Sequence, residues 1–338
     1  MKYQKEIPFL EIGGFSAGHA CNEEAATGCT VLLFDRCSPA GVAIRGGGPA
    51  SRETPLLDPL AASQGINALL LSGGSAFGLD AAGGVMTYLE ERGIGFDVGV
   101  TKVPLVCQSC LFDLVIGRSD VRPDAAMAYA ACQDADLRRK ALAAQGAASE
   151  AASLPEGNAG AGCGCTVGKY RGADFAMKSG LGVFAVQAGT FKIGAIVAVN
   201  ALGDVFDYDT GRQIAGLLNS DRTGLASTEE EFVKDIASPP DLFTGNTTIG
   251  AVITNGAFTK AEVNKIASMA HNGLARTIRP IHTTADGDSL YAVSAGDVPA
   301  DVNIAGTLAA YVMGKAVNRA VLAAESSHGY ISAADLPR

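Results

Sequence analysis

Gly245-Asn-Thr-Thr-Ile-Gly-Ala-Val-Ile-Thr254 opens as a turn and runs on as a strand. Gly and Asn tolerate tight-turn backbone, and Ile249–Thr254 is a short apolar run of strand type. The hydroxyl of Thr247 follows directly on the carbonyl of Asn246. Such a step suits self-cleavage: Thr247 Oγ attacks that carbonyl, the amide becomes an ester, and water resolves it. The freed Thr247 would then carry a nucleophile and its own α-amine, whose reference pKa of about 7.7–8.0 suits a general base at neutral pH. An Asn-Thr step also begins many ordinary strands, so the dipeptide alone leaves both readings open.

Working outward, Ser220–Asn246 is the nearest candidate boundary, an exposed stretch with Ser238-Pro239-Pro240 and one short helix around Glu229–Ile236. Beyond the strand, Thr259 and Glu262 form a capping box that starts a helix to about Ala275, followed by a strand Ser289–Val293 and a helix from Val302 to Ala324. Upstream, Leu181–Val186 and Ile193–Val199 read as an antiparallel hairpin. In the first half, Thr30–Phe34 and Ala68–Leu71 read as strands. A helix follows from about Phe77 to Arg92, with Leu79, Ala82, Val85, Met86 and Leu89 inward, and a second starts at Pro123. Paired strands with flanking helices favour a layered α/β sandwich over a doubly wound parallel sheet.

A second polar cluster is His282-Thr-Thr-Ala-Asp-Gly-Asp-Ser-Leu290, which sets Asp286 and Asp288 two residues apart before a strand. Extended backbone turns both carboxylates the same way, where they could orient a hydroxyl nucleophile. A solvated turn or a calcium loop uses the same residues, although Tyr291 stands where an EF-hand needs Gly. Asn200, ending an apolar strand, could donate to an oxyanion, and Lys169 could hold a neighbouring acid ionised. Either is equally a turn residue.

The 338 residues carry 26 basic and 35 acidic side chains, a net charge of −9 without Lys/Arg runs. That charge argues against nucleic acid and anionic membranes as partners. MKYQKEIPFLEIGG lacks the apolar core of a signal peptide, so a soluble, cytoplasmic protein is expected. The eight cysteines read as buried or half-buried free thiols, and Cys107-Gln-Ser-Cys110 has no partner at zinc spacing. The proposed chemistry needs no metal or organic cofactor. Gly160-Ala-Gly-Cys-Gly164 and Ser72-Gly-Gly-Ser75 carry a weak dinucleotide-loop signal, and Ser75 lacks the Gly at position 77 that a nucleophile elbow needs.

Several segments together resemble the L-aminopeptidase/D-esterase family, peptidase family S58, which includes β-aminopeptidases and endo-type nylon-oligomer hydrolases. They are Arg45-Gly-Gly-Gly-Pro49, Ser72–Asp80, Gly157–Lys169, Gly245–Gly250 and Arg276–Val293, within a likeness running from about Gly14 to Ala324. The resemblance implies a four-layer α/β/β/α sandwich, of the type shared by N-terminal-nucleophile-like aminopeptidases and ornithine acetyltransferases. It implies one domain over 1–338, self-processed into 1–246 and 247–338. It further implies Thr247 as nucleophile, Asn246 as the residue released, Asp286 and Asp288 as the orienting pair, Asn200 on the oxyanion side and Lys169 in the same cluster. The pair looks like that of the nylon-hydrolase branch, whereas β-aminopeptidases use Ser and Glu. Phe77 and Phe112 stand where the nylon-oligomer hydrolases carry Tyr, which removes two hydroxyl contacts. With Asp80 and Asp113 they are candidate substrate-binding residues. The implied activity is hydrolysis of amide, peptide or ester bonds of small or unusual N-terminal residues, with acyl transfer or nylon-type endo-amidase action as alternatives. A dimer or tetramer of identical chains is implied as well.

Overall fold

The computed structural model describes residues 4–146, 149–150, 153–238 and 245–336. Two sheets lie face to face and each carries helices on its outer face. The first has six strands in the order Lys5–Ile7, Leu181–Ala188, Phe191–Asn200, Thr247–Gly256, Ser289–Val298, Ala40–Ile44. The second has five, in the order Phe15–Asn22, Thr27–Ser38, Ile66–Ser72, Val106–Cys110, Ala50–Arg52.

Strand alternation builds the layers. In Thr247–Gly256, Ile249, Ala251 and Ile253 face the second sheet and join Leu32, Phe34, Leu69 and Leu71 in the central core. Val252, on the other side, meets the helices Lys260–Thr277 and Val302–Leu322 through Val263, Ile266, Ala309 and Val312. Val31, Leu33 and Leu70 meet the helices Ala82–Glu90 and Ala125–Gln145 in the same way. The result is an α/β/β/α sandwich of four layers, as the resemblance implies.

The hairpin expected in the centre spans Leu181–Ala188 and Phe191–Asn200. The capping box forms, with Thr259 Oγ1 accepting from the N–H of Glu262 and the Glu262 carboxylate accepting from that of Thr259. Two expectations change. The Pro123 helix begins at Ala125, because Asp124 caps it by accepting from Met127 N, which leaves the proline outside. The Phe77 helix is a 3-10 turn over Ser75–Ala81 before α geometry from Ala82 to Glu90. Gly78 there lies so close to Gly73 that a Cβ would come within 2.1 Å of the Gly73 oxygen. Leu79 and Met86 are only half-buried, and Tyr88 fills the inner face beside Leu89.

The glycines of 160–164 pack against protein rather than surround a ligand-sized space: a Cβ on Gly160 would meet Thr30 Oγ1 at 2.2 Å. All eight cysteines are free thiols; Cys21 and Cys37 are exposed, the other six buried. No helix among the described residues is long and apolar enough to cross a membrane. In the Ser220–Asn246 boundary stretch, residues 239–244 lie outside the described residues; its helix runs from Thr228 to Lys234.

Candidate active site

Thr247 is the first residue of its strand and 4% exposed. Antiparallel pairing sets it opposite Asn200, the last residue of Phe191–Asn200, so two strand ends meet at one spot. Gly245, with a φ of +64°, brings the chain in; a Cβ there would strike the Phe112 ring at 2.2 Å. Thr247 Oγ1 then lies 2.5 Å from the carbonyl oxygen of Asn246 and donates to it. The same oxygen accepts from the N–H of Gly287 at 2.8 Å.

On the other side, residues 282–288 run beside the junction. Asn246 bridges to Asp286, and a Cβ on Gly287 would come within 2.9 Å of Thr247 Oγ1. The glycine run after Arg45 backs this segment: Arg45 N donates to Asp288 O at 3.0 Å and Gly48 N to Asp286 O at 2.9 Å. A Cβ on Gly46 would lie 2.3 Å from Asp286 O, so the backbones could not approach with side chains between them.

Both carboxylates are fully buried, with unlike partners. Asp288 accepts from three N–H groups: Thr248 N on Oδ1 at 2.7 Å, and His282 Nδ1 and N on Oδ2 at 2.8 and 3.2 Å. Asp286 accepts on Oδ2 from Thr283 N at 2.9 Å and Thr283 Oγ1 at 2.5 Å, while its buried Oδ1 has no partner among the described residues. Burial, and then the charge of Asp288, push the Asp286 carboxyl up to about 6. The pair therefore combines one carboxyl group held by three N–H donors with one able to take up a proton near neutrality.

Asn200 and Lys169 form one unit. Lys169 Nζ donates to the Asn200 carbonyl at 2.8 Å and to Oδ1 at 2.9 Å. Thr166 N also donates to Oδ1 at 3.1 Å, and Asn200 Nδ2 donates to Phe112 O at 2.7 Å. The amide is thus locked in orientation, with one Nδ2 proton uncommitted among the described residues. Burial lowers the Lys169 ammonium to about 7, against the opposing pull of Cys165, Asp286, Asp288 and Asp113.

A pocket of about 190 Å³ opens beside Thr247, lined by Gly48, Ala50, Ser75, Cys110, Phe112, Gly245, Asn246, Thr284 and Ala285. Of the candidate substrate residues, Phe112 is therefore present. Phe77 is 59% exposed with Arg122 stacked on its ring at 3.9 Å, and Asp80 is on the surface. Asp113 is buried and accepts from Thr27 Oγ1 at 2.6 Å and Gly74 N at 2.7 Å, which ties it to the Gly73-Gly74 turn. Sequence reasoning gave no role to Thr166, Thr283, His282 or the Gly287 N–H. Only His282 and Thr283 carried a signal, as neighbours of the acidic pair.

If Asp286 must accept a proton during turnover, its raised pKa makes it unable to do so in acid. The plot of kcat/KM against pH should then steepen below about pH 6, adding a loss of about tenfold per unit to that expected from protonation of a Thr247 α-amine. A slope that does not steepen between pH 7 and 5 would show that the ionised form of Asp286 is not required.

Residues 9–333 match peptidase family S58. An uncharacterized aminopeptidase of Mycobacterium leprae (strain TN) is 38% identical over 348 residues, covering 97% of this chain and 88% of that protein. A 6-aminohexanoate-oligomer endohydrolase of Agromyces sp. (strain KY5R) is 30% identical over 300 residues, covering 87% and 76%. Among solved structures, the L-aminopeptidase D-Ala-esterase/amidase of Ochrobactrum anthropi superposes with a TM-score of 0.67 at 16% identity, covering 96% of this chain and 90% of that one. A Burkholderia sp. β-aminopeptidase gives 0.62 at 17%, covering 96% and 90%. These two likenesses establish the fold, an N-terminal-nucleophile-type sandwich, and the family match and the relatives establish the class: the chain belongs to peptidase family S58 and is a hydrolase.

Proposed function

We propose that this hydrolase is a self-processing amidohydrolase that cuts its own Asn246–Thr247 bond and then uses Thr247 as nucleophile. The observation that carries the reading is the buried Thr247 hydroxyl, 2.5 Å from the oxygen of the carbonyl it would attack, with Gly287 N–H already on that oxygen. In the first step Oγ bonds to the Asn246 carbonyl carbon, and the C–N bond breaks as the leaving nitrogen gains a proton. The Gly287 N–H steadies the charge that develops on the oxygen. Water then hydrolyses the ester, leaving a carboxylate on Asn246 and a free amine and hydroxyl on Thr247. In turnover the amine serves as base, substrate acylates Oγ, the leaving amine takes the proton, and water releases the acid. Asp286, Asp288, Asn200 and Lys169 form the polar surround of these steps, and Asn200 offers its uncommitted Nδ2 proton to the oxyanion.

The pocket volume and its small lining residues favour a small acyl portion, in keeping with small or unusual N-terminal residues. The purified, processed protein should release p-nitroaniline from at least one of L-, D- or β-alanyl p-nitroanilide with no acceptor amine present. Release that depends on an added amine would identify an acyltransferase instead, and silence towards all three with either acceptor would reject the small-acyl reading.

A further inference from the structure

Asp288 has a partner that the chemistry above leaves unused. His282 has a φ of +61°, a region rare for side chains other than Gly and Asn. That backbone turn lets two donors of one residue converge on one oxygen: His282 N and Nδ1 both reach Asp288 Oδ2. A carboxylate only accepts, so the imidazole must carry its proton on Nδ1. Nε2 is buried without a partner among the described residues. The ring is backed edge-to-face by His271, with centroids 4.8 Å apart at 68°. His271 is anchored in turn by Nε2 donating to the Ala43 carbonyl at 2.8 Å, and burial lowers it to about 4, so it stays neutral. A backbone strand, the neutral His271 ring and then the His282 ring thus fix the carboxylate from behind.

We propose that His282 is a positioning residue: it holds Asp288 in the one orientation that lets Oδ1 grip Thr248 N and so fixes the peptide that carries Thr247. The inference rests on Thr247 being the nucleophile. Without the imidazole, Oδ2 loses its 2.8 Å partner in a buried site, and rotation of the carboxylate to find another frees Thr248 N. Since 286–288 also brings Asp286 and Gly287 against the junction, misplacement here is felt at Thr247 Oγ1.

Two variants keep the backbone turn and differ in the donor. His282→Gly accepts a positive φ and supplies none; His282→Asn accepts it too and sets Nδ2 where Nδ1 stood. The Gly variant should process itself and turn over about 10–100-fold more slowly, with KM within about twofold of wild type, while the Asn variant regains most of both rates. Wild-type kcat in the Gly variant, or an Asn variant as slow as Gly, overturns the role. A readout independent of variant folding is the nitrogen NMR spectrum of the wild-type chain with labelled histidine: Nδ1 of His282 should carry a proton, and an unprotonated Nδ1 rejects the proposal. Denaturing gels score cleavage of the wild type and both variants. An active wild type that stays uncut at Thr247 removes the nucleophile reading itself, whereas a cut wild type with an unaffected Gly variant removes only the role of His282.

Discussion

Thr247→Ala should run as a single 338-residue chain and show no amidase activity, while wild type separates on a denaturing gel into 1–246 and 247–338. The substitution removes the hydroxyl placed on the Asn246 carbonyl and leaves strand pairing with Asn200 and its neighbours in place. Its cost to folding should therefore be small beside its effect on rate. Tethering a nucleophile next to its target reaches effective concentrations on the order of 10⁵ M or more, and Ala forfeits all of it. Thr247→Ser keeps the hydroxyl and should still process, at a changed rate because the lost methyl frees the rotamer. N-terminal sequencing of the smaller band should read Thr-Thr-Ile-Gly. A fully active, uncut wild-type chain would end the proposal.

Asp288→Asn should slow both processing and turnover by about 10² or more. The present carboxylate accepts from three N–H groups among the described residues. A carboxamide has one accepting oxygen, so its NH₂ must face either Thr248 N or the His282 donors, and two donors then confront each other in a buried place. Removing the charge also takes away the repulsion that helps to raise Asp286, so any acid limb in the residual activity should move to lower pH. Thermal midpoints of wild type and variant separate this from simple unfolding. Wild-type rates in a folded Asp288→Asn would return the acidic pair to a structural turn.

How much of this was legible follows from which interactions are local. The turn-to-strand switch at Gly245–Thr254, the hairpin before it and the Thr259 capping box rest on neighbours in sequence, and each appears in the structure where periodicity and turn chemistry place it. What brings Asn200 opposite Thr247 is the register of two strands almost fifty positions apart, and no local pattern encodes it. Lys169 and Asn200 were readable as polar residues at segment ends, equally compatible with ordinary turns, until the family resemblance gave them a shared site; their contact spans 31 positions of sequence. Asp113 and Asp80 show the limit from the other side. Both are acids near glycine-rich turns, yet one is consumed by Thr27 and Gly74 and the other lies on the surface. Only packing distinguishes them. The Arg45-Gly-Gly-Gly motif was recognisable as a motif, while its reason, backbone pressed on backbone at Asp286, is visible only once the sheets are assembled.

Thr247–Gly256 and Ser289–Val298 sit side by side in the six-stranded sheet, with Phe191–Asn200 on one flank and Ala40–Ile44 on the other. A cut before Thr247 therefore hands one fragment a pair of strands whose two open edges are both filled by the other fragment. Before the cut, folding is a first-order event in which every pairing lies within one molecule. After it, unfolding yields two chains, and return becomes second order, slower on dilution and competing with aggregation of bare strand edges. The mature protein would thus be long-lived through its barrier to coming apart rather than through an equilibrium it can revisit. Its melting should be irreversible where that of the uncut Thr247→Ala chain is not.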